Sequence, residues 1–282
     1  MPTMHGHRAR KRFSQNFLHD AHYIVRIVAA VAAQPGDRVV EIGPGLGALT
    51  DPLVAAAGHL TCVEIDRDLA GRLRARYTPS QLTLVEGDAL AFDWAAFAAS
   101  DARPLKIVGN LPYHISTPLL FALLPIAGHI ESQHFMLQKE VVDRMAAQPG
   151  GKDYGRLSVM LQQRYEVTRL FIVPAGAFSP APQVQSAIVR LRPRPAEALE
   201  AVDGTQFARV VTAAFTQRRK TLRNALAALL DERAIEAAGV DAGARAEQLP
   251  VAAFVALARQ VGRLATFSRP AVAADPVSGA AI

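Results

Sequence analysis

The chain has 282 residues, of which 50% are hydrophobic and 20% are charged, and it carries a net charge of +6 with a pI of about 9.8. Its length suits one large domain and one small one. No apolar run reaches the length of a membrane-spanning helix, and the basic N-terminus has no apolar segment behind it that would indicate a secretory signal. We therefore expect a cytoplasmic protein, and the excess of positive charge favours a polyanionic partner.

The only cysteine, Cys62, excludes an internal disulfide and a metal site built on several thiolates. It lies in an apolar stretch, so we expect a thiol packed in the core. The eight histidines are scattered without the spacing of metal ligands, so no metal is expected.

The positive charge is concentrated in two short segments. One lies in residues 1–14, which we expect to be a flexible basic N-terminus, and the other lies in the last third of the chain. Phosphate binding through such clusters would make affinity fall steeply with salt. The first cluster is Arg8, Arg10, Lys11 and Arg12, and the second is Arg218, Arg219, Lys220 and Arg223.

Between residues 37 and 192, strand-like apolar segments alternate with helix-like ones. The predicted strands are 39–42, 60–65, 82–85, 105–108, 134–138, 167–173 and 187–191, and the predicted helices are 49–57, 69–77, 117–124 and 156–165. This alternation predicts an α/β fold, a Rossmann-like parallel sheet with helices on both faces. Because little between the last two strands looks helical, we expect them to form a hairpin at the sheet edge.

Three strand ends carry residues that fit a nucleotide-like ligand. Residues 41–47, Glu-Ile-Gly-Pro-Gly-Leu-Gly, end the first strand with glycines that allow a sharp turn and close backbone approach. Glu64, or Asp66 as the near alternative, follows about 20 residues later, where a carboxylate holds ribose hydroxyls. Ile65 is expected to face the core. Asp88, after the third strand, either accepts from an adenine amino group or caps the next helix.

The fourth strand ends in Asn110-Leu111-Pro112-Tyr113, the most informative stretch of the sequence. Adenine's exocyclic amino group is a poor nucleophile, because its lone pair is delocalised into the ring. The side-chain carbonyl of Asn110 and the backbone carbonyl ahead of Pro112 can accept its two N–H hydrogens, while Tyr113 offers a flat face to the base. The alternative is an ordinary strand-end turn, in which Asn and Pro are common. We favour a site that methylates adenine.

Residues 192–195, Arg-Pro-Arg-Pro, interrupt the alternation, and the pattern beyond them is helical only. The predicted helices there are 206–215, 221–230, 232–238 and 251–264. We therefore divide the chain into a catalytic domain at 15–192, a small all-helical RNA-binding domain at 196–266 and a disordered tail at 267–282, rich in Ala, Pro, Ser and Gly.

Taken together, these motifs resemble the ribosomal RNA adenine dimethyltransferases, and the basic C-terminal segment is similar to the branch that acts on the small subunit. The resemblance spans roughly residues 11 to 265, and the motifs follow the family's order. The stretches that carry it are 15–18 (Gln-Asn-Phe-Leu), 41–47, 63–66 (Val-Glu-Ile-Asp), 87–89 (Gly-Asp-Ala), 110–113, 178–186 (Phe-x-Pro-x-Pro-x-Val-x-Ser) and 218–224 (Arg-Arg-Lys-Thr-Leu-Arg-Asn).

The resemblance implies a class I S-adenosylmethionine-dependent methyltransferase that dimethylates N6 of two adjacent adenosines, in a hairpin loop near the 3′ end of 16S rRNA within the 30S particle. It implies that donor binding involves Asn16, Leu18, Gly43, Glu64, Asp88 and Asn110. The implied catalytic residues are Asn110, Tyr113 and Phe178, with Phe178 stacking on the base opposite Tyr113. The RNA-binding residues are Arg218, Arg219, Lys220 and Arg223, and we expect a monomer.

Other functions fit part of the sequence. A NAD-dependent oxidoreductase explains the glycine turn and Glu64, but neither the 110–113 stretch nor the basic clusters. The Erm-like large-subunit rRNA methyltransferases share the front motifs. A non-catalytic ribosome assembly or RNA-binding factor would keep the same fold, and a DNA adenine methyltransferase is a further alternative within the enzyme class. For the enzyme we expect direct methyl transfer without a metal or a histidine base, and His114 is expected to be only a neighbour on the following turn.

Overall fold

The computed structural model describes residues 3–4, 7–8 and 15–267, and the chain divides into two compact units between Leu199 and Glu200. A short antiparallel pairing joins Thr3–Met4 to His7–Arg8. Otherwise the predictions of a flexible N-terminus and of a disordered tail after Phe267 lie outside the described residues. None of the helices in the described ranges is both long enough and apolar enough to cross a bilayer.

The first unit is built on a seven-stranded sheet. Its strands are β1 (Arg38–Ile42), β2 (Leu60–Glu64), β3 (Leu82–Glu86), β4 (Leu105–Asn110), β5 (Ile130–Gln138), β6 (Tyr165–Val173) and β7 (Ser186–Pro193). From edge to edge they lie in the order β3, β2, β1, β4, β5, β7, β6. The first five strands are parallel, and β7 runs antiparallel to both β5 and β6. The predicted parallel sheet with an antiparallel pair at its edge is confirmed.

Helices cover both faces of this sheet. They are α1 (Ala21–Val31), α2 (Thr50–Ala57), α3 (Arg67–Arg76), α4 (Trp94–Ala99), α5 (Tyr113–Ala122), α6 (Lys139–Ala146) and α7 (Arg156–Gln162). Ile27 and Leu53 from α1 and α2 pack on one face, and Leu119, Met145 and Leu161 from α5, α6 and α7 pack on the other. These two layers bury the apolar side chains on both faces of β1, β2 and β4.

The second unit is helical, with α8 (Gly204–Thr216), α9 (Leu222–Ala225), α10 (Glu232–Ala237) and α11 (Val251–Phe267). The predicted helix 221–230 is wrong, because only its first turn is helical. The backbone N–H groups of Leu222 and Arg223 donate to carbonyls of the 242–244 segment instead, at 2.9 and 3.0 Å. The chain then continues in turns that still bury Leu226 and Leu230. Apolar residues at helical spacing are therefore buried here although the segment does not continue as a helix.

Strand β5 buries three polar side chains, Ser132, Gln133 and His134, which are 4%, 1% and 3% exposed. Neither ring nitrogen of His134 has a hydrogen-bond partner within the described part of the chain. Burial lowers the pKa of His134 to about 4, and the charges of Arg190, Arg192 and Lys106 act in the same direction. The imidazole is therefore neutral at pH 7.

We expect the free energy of unfolding to decrease as the pH falls from 6.5 to about 4, because the unfolded chain then binds a proton that folded His134 does not accept. The contribution of neutral His134 to the free energy of unfolding is fully present above the pKa of the histidine in the unfolded chain, and about 3 kcal/mol of it is lost across this window. Urea unfolding at several pH values measures the slope. His134→Leu flattens it, whereas His59→Leu, at an exposed histidine, does not. Equal slopes in the parent and His134→Leu would contradict the prediction.

Candidate active site

A crevice lies at the carboxyl ends of the parallel strands, where the strand order reverses between β1 and β4. The loops after these two strands lead to opposite sides of the sheet, which is where open α/β sheets bind ligands. Every predicted donor-binding and catalytic residue lines this crevice: Asn16, Leu18, Gly43, Glu64, Asp88, Asn110, Tyr113 and Phe178. The structure therefore brings residues from distant parts of the sequence to one place, while their individual roles stay predictions.

The glycine turn after β1 forms one wall. Gly43, Gly45 and Gly47 have φ angles of 67°, 60° and 89°, in the left-handed region that disfavours other residues. The N–H of Gly43 donates to the carbonyl of Val63 at 2.9 Å, which ties the turn to β2. The glycines carry no side chain of their own, so a ligand can approach this backbone closely, and the ring of Phe17 lies against Gly45.

Glu64 is held rigidly at the end of β2. Its two carboxylate oxygens accept the N–H groups of Gly45 at 3.1 Å and Asp66 at 2.8 Å. The side chain is 4% exposed, and burial raises its pKa while these hydrogen bonds oppose the shift. Asp66, the near alternative, does not line the crevice. Glu64 is thus the carboxylate that a ribose in the crevice would meet.

The expectation that Ile65 faces the core is wrong. Its side chain is 45% exposed and lines the crevice, whereas Glu64 beside it is buried. The reason is that β2 ends at Glu64, so the alternation of strand side chains no longer applies one residue later. Ile65 adds an apolar surface next to the carboxylate.

Asp88 is an exposed residue in the loop after β3. Its Oδ1 accepts the N–H of Leu90 at 2.9 Å. The alternative that it caps the next helix is wrong, because α4 is capped by Asp93, which accepts from Ala96 at 2.9 Å. Asp88 therefore lines the crevice as an available acceptor.

Asn110 ends β4 with its amide oriented by a hydrogen bond. Its Nδ2 donates to the backbone carbonyl of Asn16 at 3.0 Å. Because the donor end of the amide is occupied, Oδ1 is left as the acceptor of this side chain. The next backbone carbonyl, that of Leu111, has no protein donor among the described residues, whereas that of Pro112 accepts from Ile115 at 3.1 Å. Two acceptors, Asn110 Oδ1 and the Leu111 carbonyl, thus stay unused.

Two aromatic residues complete the wall around these acceptors. The hydroxyl of Tyr113 lies 3.2 Å from Ser186 Oγ at the start of β7. Phe178 is 4% exposed and pairs with Leu18 in a two-residue antiparallel ladder. Tyr113 is thus held by the start of β7, and Phe178 is held by the strand pairing with Leu18.

Glu41, for which the sequence predicts no role, lies at the end of β1 just before the glycine turn and also lines the crevice. Its side chain is 2% exposed, and its Oε2 accepts from Thr50 Oγ1 at 2.7 Å. Burial raises the pKa of Glu41 to about 7, and the nearby charges of Glu64 and Asp51 also raise it. Cys62 is a buried thiol 3.8 Å from the same oxygen, and its burial raises its pKa further, as fits the predicted core thiol.

The four basic residues predicted to bind RNA belong to the second unit. Arg218, Arg219 and Lys220 follow α8 in a turn, Arg223 lies in α9, and all four are exposed. The basic C-terminal segment is therefore mostly a turn. Arg218 pairs with Glu247 at 2.8 Å, and Arg223 pairs with Glu232 at 3.2 Å. Arg219 and Lys220 form no ion pair within residues 15–264, so of these four basic residues they are the two that can pair with an external anion without breaking an existing ion pair.

The strand order of the sheet, with an antiparallel pair at one edge and a crevice between β1 and β4, is that of the class I S-adenosylmethionine-dependent methyltransferases. The chain also matches the family model for the ribosomal RNA adenine dimethylases over residues 6–261. It therefore belongs to the ribosomal RNA adenine dimethylase family.

Relatives and solved structures agree with this membership. The ribosomal RNA small subunit methyltransferase A of Aromatoleum aromaticum is 58% identical over 92% of this chain and 96% of its own length. The protein of the same name from Acinetobacter baylyi is 54% identical over 92% and 95%. A dimethyladenosine transferase from Plasmodium falciparum has the same fold, with a TM-score of 0.74 at 24% identity over 88% of this chain and 98% of that one. The 23S rRNA methyltransferase ErmE gives 0.66 at 29% identity over 88% and 100%.

We expect affinity for the cationic methyl donor to rise by about three- to tenfold between pH 6 and pH 8, because deprotonated Glu41 attracts a positive charge in the crevice. Calorimetric titration of S-adenosylmethionine at several pH values measures this. Glu41→Gln keeps an acceptor for Thr50 but does not titrate, so its affinity profile is flatter. The exposed change Glu140→Gln serves as the control. Parallel profiles in the parent and Glu41→Gln would exclude a contribution of this carboxylate.

Proposed function

We propose that this protein uses S-adenosylmethionine to dimethylate N6 of two adjacent adenosines, in a hairpin loop near the 3′ end of 16S rRNA. It acts on the 30S particle in the cytoplasm, during biogenesis of the small subunit. The observation that carries the proposal is the pair of unused acceptors, Asn110 Oδ1 and the Leu111 carbonyl, beside a crevice whose residues suit the donor. The name of the relatives at 58% and 54% identity supports the small subunit as the substrate.

Donor binding is supported by the chemistry around the crevice. Glu64 accepts from the ribose hydroxyls and Asp88 accepts from the adenine amino group. The backbone at Gly43 contacts the amino-acid part, and Asn16 and Leu18 cover the donor from the N-terminal side. The donor supplies a methyl group that is already activated by the positive charge on its sulfur, so the chain's residues need only hold and orient the reactants, and no metal is required.

Target binding follows from the 110–113 loop. Asn110 Oδ1 and the Leu111 carbonyl accept the two N–H hydrogens of the adenine amino group, which directs the nitrogen lone pair towards the donor. Both acceptors also favour the positive charge that develops on the nitrogen during transfer. Tyr113 and Phe178 stack on the base. After the first transfer one N–H remains, so the same acceptors can orient the nitrogen again.

No general base is assigned. The proton leaves the target nitrogen for solvent after transfer, because the product cation is far more acidic than the parent amine. His114 is exposed on the first turn of α5 and has no role in this scheme. Rate enhancement comes from positioning and from the fixed carbonyl dipoles.

RNA binding requires the target base to be unstacked, which favours a loop over a duplex interior. The basic turn after α8, above all Arg219 and Lys220, binds phosphates of the same RNA. One chain supplies every residue in this scheme, and we propose that the enzyme acts as a monomer.

A second candidate is methylation of large-subunit rRNA, which the similarity to ErmE favours. A NAD-dependent oxidoreductase would not use the hydrogen-bond acceptors at Asn110 and Leu111, so this function leaves them unexplained. Incubation with radiolabelled methyl donor and either small subunits, large subunits or genomic DNA separates these functions. Label in the small subunit, recovered as dimethyladenosine, is the expected result. Label confined to large subunits or DNA would replace the proposal, and the absence of label would favour a non-catalytic assembly factor.

In the same assay we expect Asn110→Ala to reduce methyl transfer by about 100-fold or more, as for other groups that orient and stabilise a reacting centre. The substitution removes the Oδ1 acceptor and also the hydrogen bond to Asn16. Affinity for small subunits serves as the control and should persist, because the basic turn is untouched. Transfer at the parent rate would show that the assigned site is wrong.

We expect Arg219→Ala with Lys220→Ala to weaken binding to small-subunit RNA and to reduce the slope of log affinity against log salt by about 1 to 2, since two phosphate contacts are lost. Fluorescence titration at several salt concentrations measures the slope. Arg233→Ala with Arg263→Ala removes the same charge from exposed positions outside the turn and serves as the control. An unchanged slope in the first variant would remove the turn from the interface.

A further inference from the structure

Residues 15–18 form a short segment along one side of the crevice, which we call the cover segment. At its start, Gln15 Nε2 donates to Asp66 Oδ2 at 2.9 Å. Asp66 is fully buried, and its other oxygen accepts the N–H of Asp68 at 3.1 Å, which caps α3. Gln15 is therefore bound to a carboxylate that the fold itself holds in place.

The other end of the cover segment is attached to the chain that leads into β7. Phe17 and Leu18 pair with Ser179 and Phe178 in the two-residue antiparallel ladder. Leu18 is 4% exposed and belongs to the hydrophobic core. The segment thus joins the loop after β2, on the donor side, to the residues before β7, on the target side.

Between these two attachments, the backbone carbonyl of Asn16 accepts from Asn110 Nδ2 at 3.0 Å. The orientation of the Asn110 amide therefore depends on where the cover segment lies. Asn16 is the immediate neighbour of Gln15, so a displacement at Gln15 is transmitted to this carbonyl within one residue.

We infer that Gln15 is a positioning residue of the methyl transfer: its hydrogen bond to Asp66 fastens the cover segment beside the donor and, through the Asn16 carbonyl, aims Asn110 Oδ1 at the target. This inference rests on the proposed function. Gln15 touches neither reacting atom. It links donor binding at β2 to the acceptor at β4, because both depend on the same segment being in place.

A charge exchange tests the inference. In Gln15→Glu, a carboxylate faces the buried carboxylate of Asp66, so the two repel and the segment detaches. We expect the KM for S-adenosylmethionine to rise by about fivefold and kcat to fall by about tenfold, since both the cover and the Asn110 orientation are lost. In the double variant Gln15→Glu with Asp66→Asn, the new amide can donate to the new carboxylate and still cap α3. We expect it to recover kcat to within about threefold of the parent.

Two further measurements distinguish a loss of positioning by Gln15 from a general loss of folded structure. Hydrogen exchange of a peptide covering residues 15–20 should be faster in Gln15→Glu and return to the parent rate in the double variant, while affinity for small subunits stays constant in both. Gln81→Glu, the same change at an exposed position whose acceptor contacts to Thr78 are retained, controls for added charge. Parent-like kinetics in Gln15→Glu, or equal losses in the single and double variants, would overturn the inference. An inactive parent enzyme would instead overturn the proposed function.

Discussion

The crevice depends on how closely β1 and β4 approach before they separate. The two strands pair in register up to Glu41 and Val108. At Gly109, the next residue of β4, a Cβ would lie 2.6 Å from the backbone oxygen of Ile42, which is closer than such atoms approach. Only glycine therefore keeps the strands together this far, so that Asn110 emerges beside the glycine turn. A side chain at position 109 would push β4 away from β1 and widen the distance between the donor and the target acceptors.

The distribution of charge in the chain suits the two ligands of the proposed function, a cationic methyl donor and a polyanionic RNA. The chain is basic, with a net charge of +6, yet the donor crevice contains Glu41, Glu64 and Asp88. A cationic methyl donor is attracted by these carboxylates, whereas a polyanionic RNA is attracted by the exposed arginines and lysines elsewhere. Burial disfavours the ionised forms of Glu41 and Glu64 and raises the pKa of each; the charge of Glu64 adds to the shift of Glu41, and the charge of Asp66 adds to that of Glu64. Under the proposed function, the positive charge of the bound donor favours the ionised forms of these carboxylates.

Much of the fold follows from local patterns, because parallel strands between two helical layers are apolar runs ending in recognisable turns. For that reason the sequence predicts that Glu64 and Asn110 lie at strand ends. Helix α1 was also readable, since Asp20 caps it and Ile27 and Val31 repeat at helical spacing, but the prediction omitted it. Other features depend on tertiary contacts that no local pattern contains. The burial of Glu41 and the exposure of Ile65 are set by where neighbouring loops lie, and the Asn110 amide is oriented by a residue 94 positions away.

The choice of asparagine at position 110 has a physical basis in this geometry. The side chain donates to the Asn16 carbonyl on one side, and under the proposed function it accepts from the target on the other. A planar amide provides both functions at a fixed angle. An aspartate would place a carboxylate oxygen against the Asn16 carbonyl, so the cover segment would lose its central attachment. It would also add another negative charge to a crevice that already contains Glu41, Glu64 and Asp88. A neutral amide avoids both costs while keeping the acceptor oxygen, and the orientation of that oxygen is fixed from the donor side of the site.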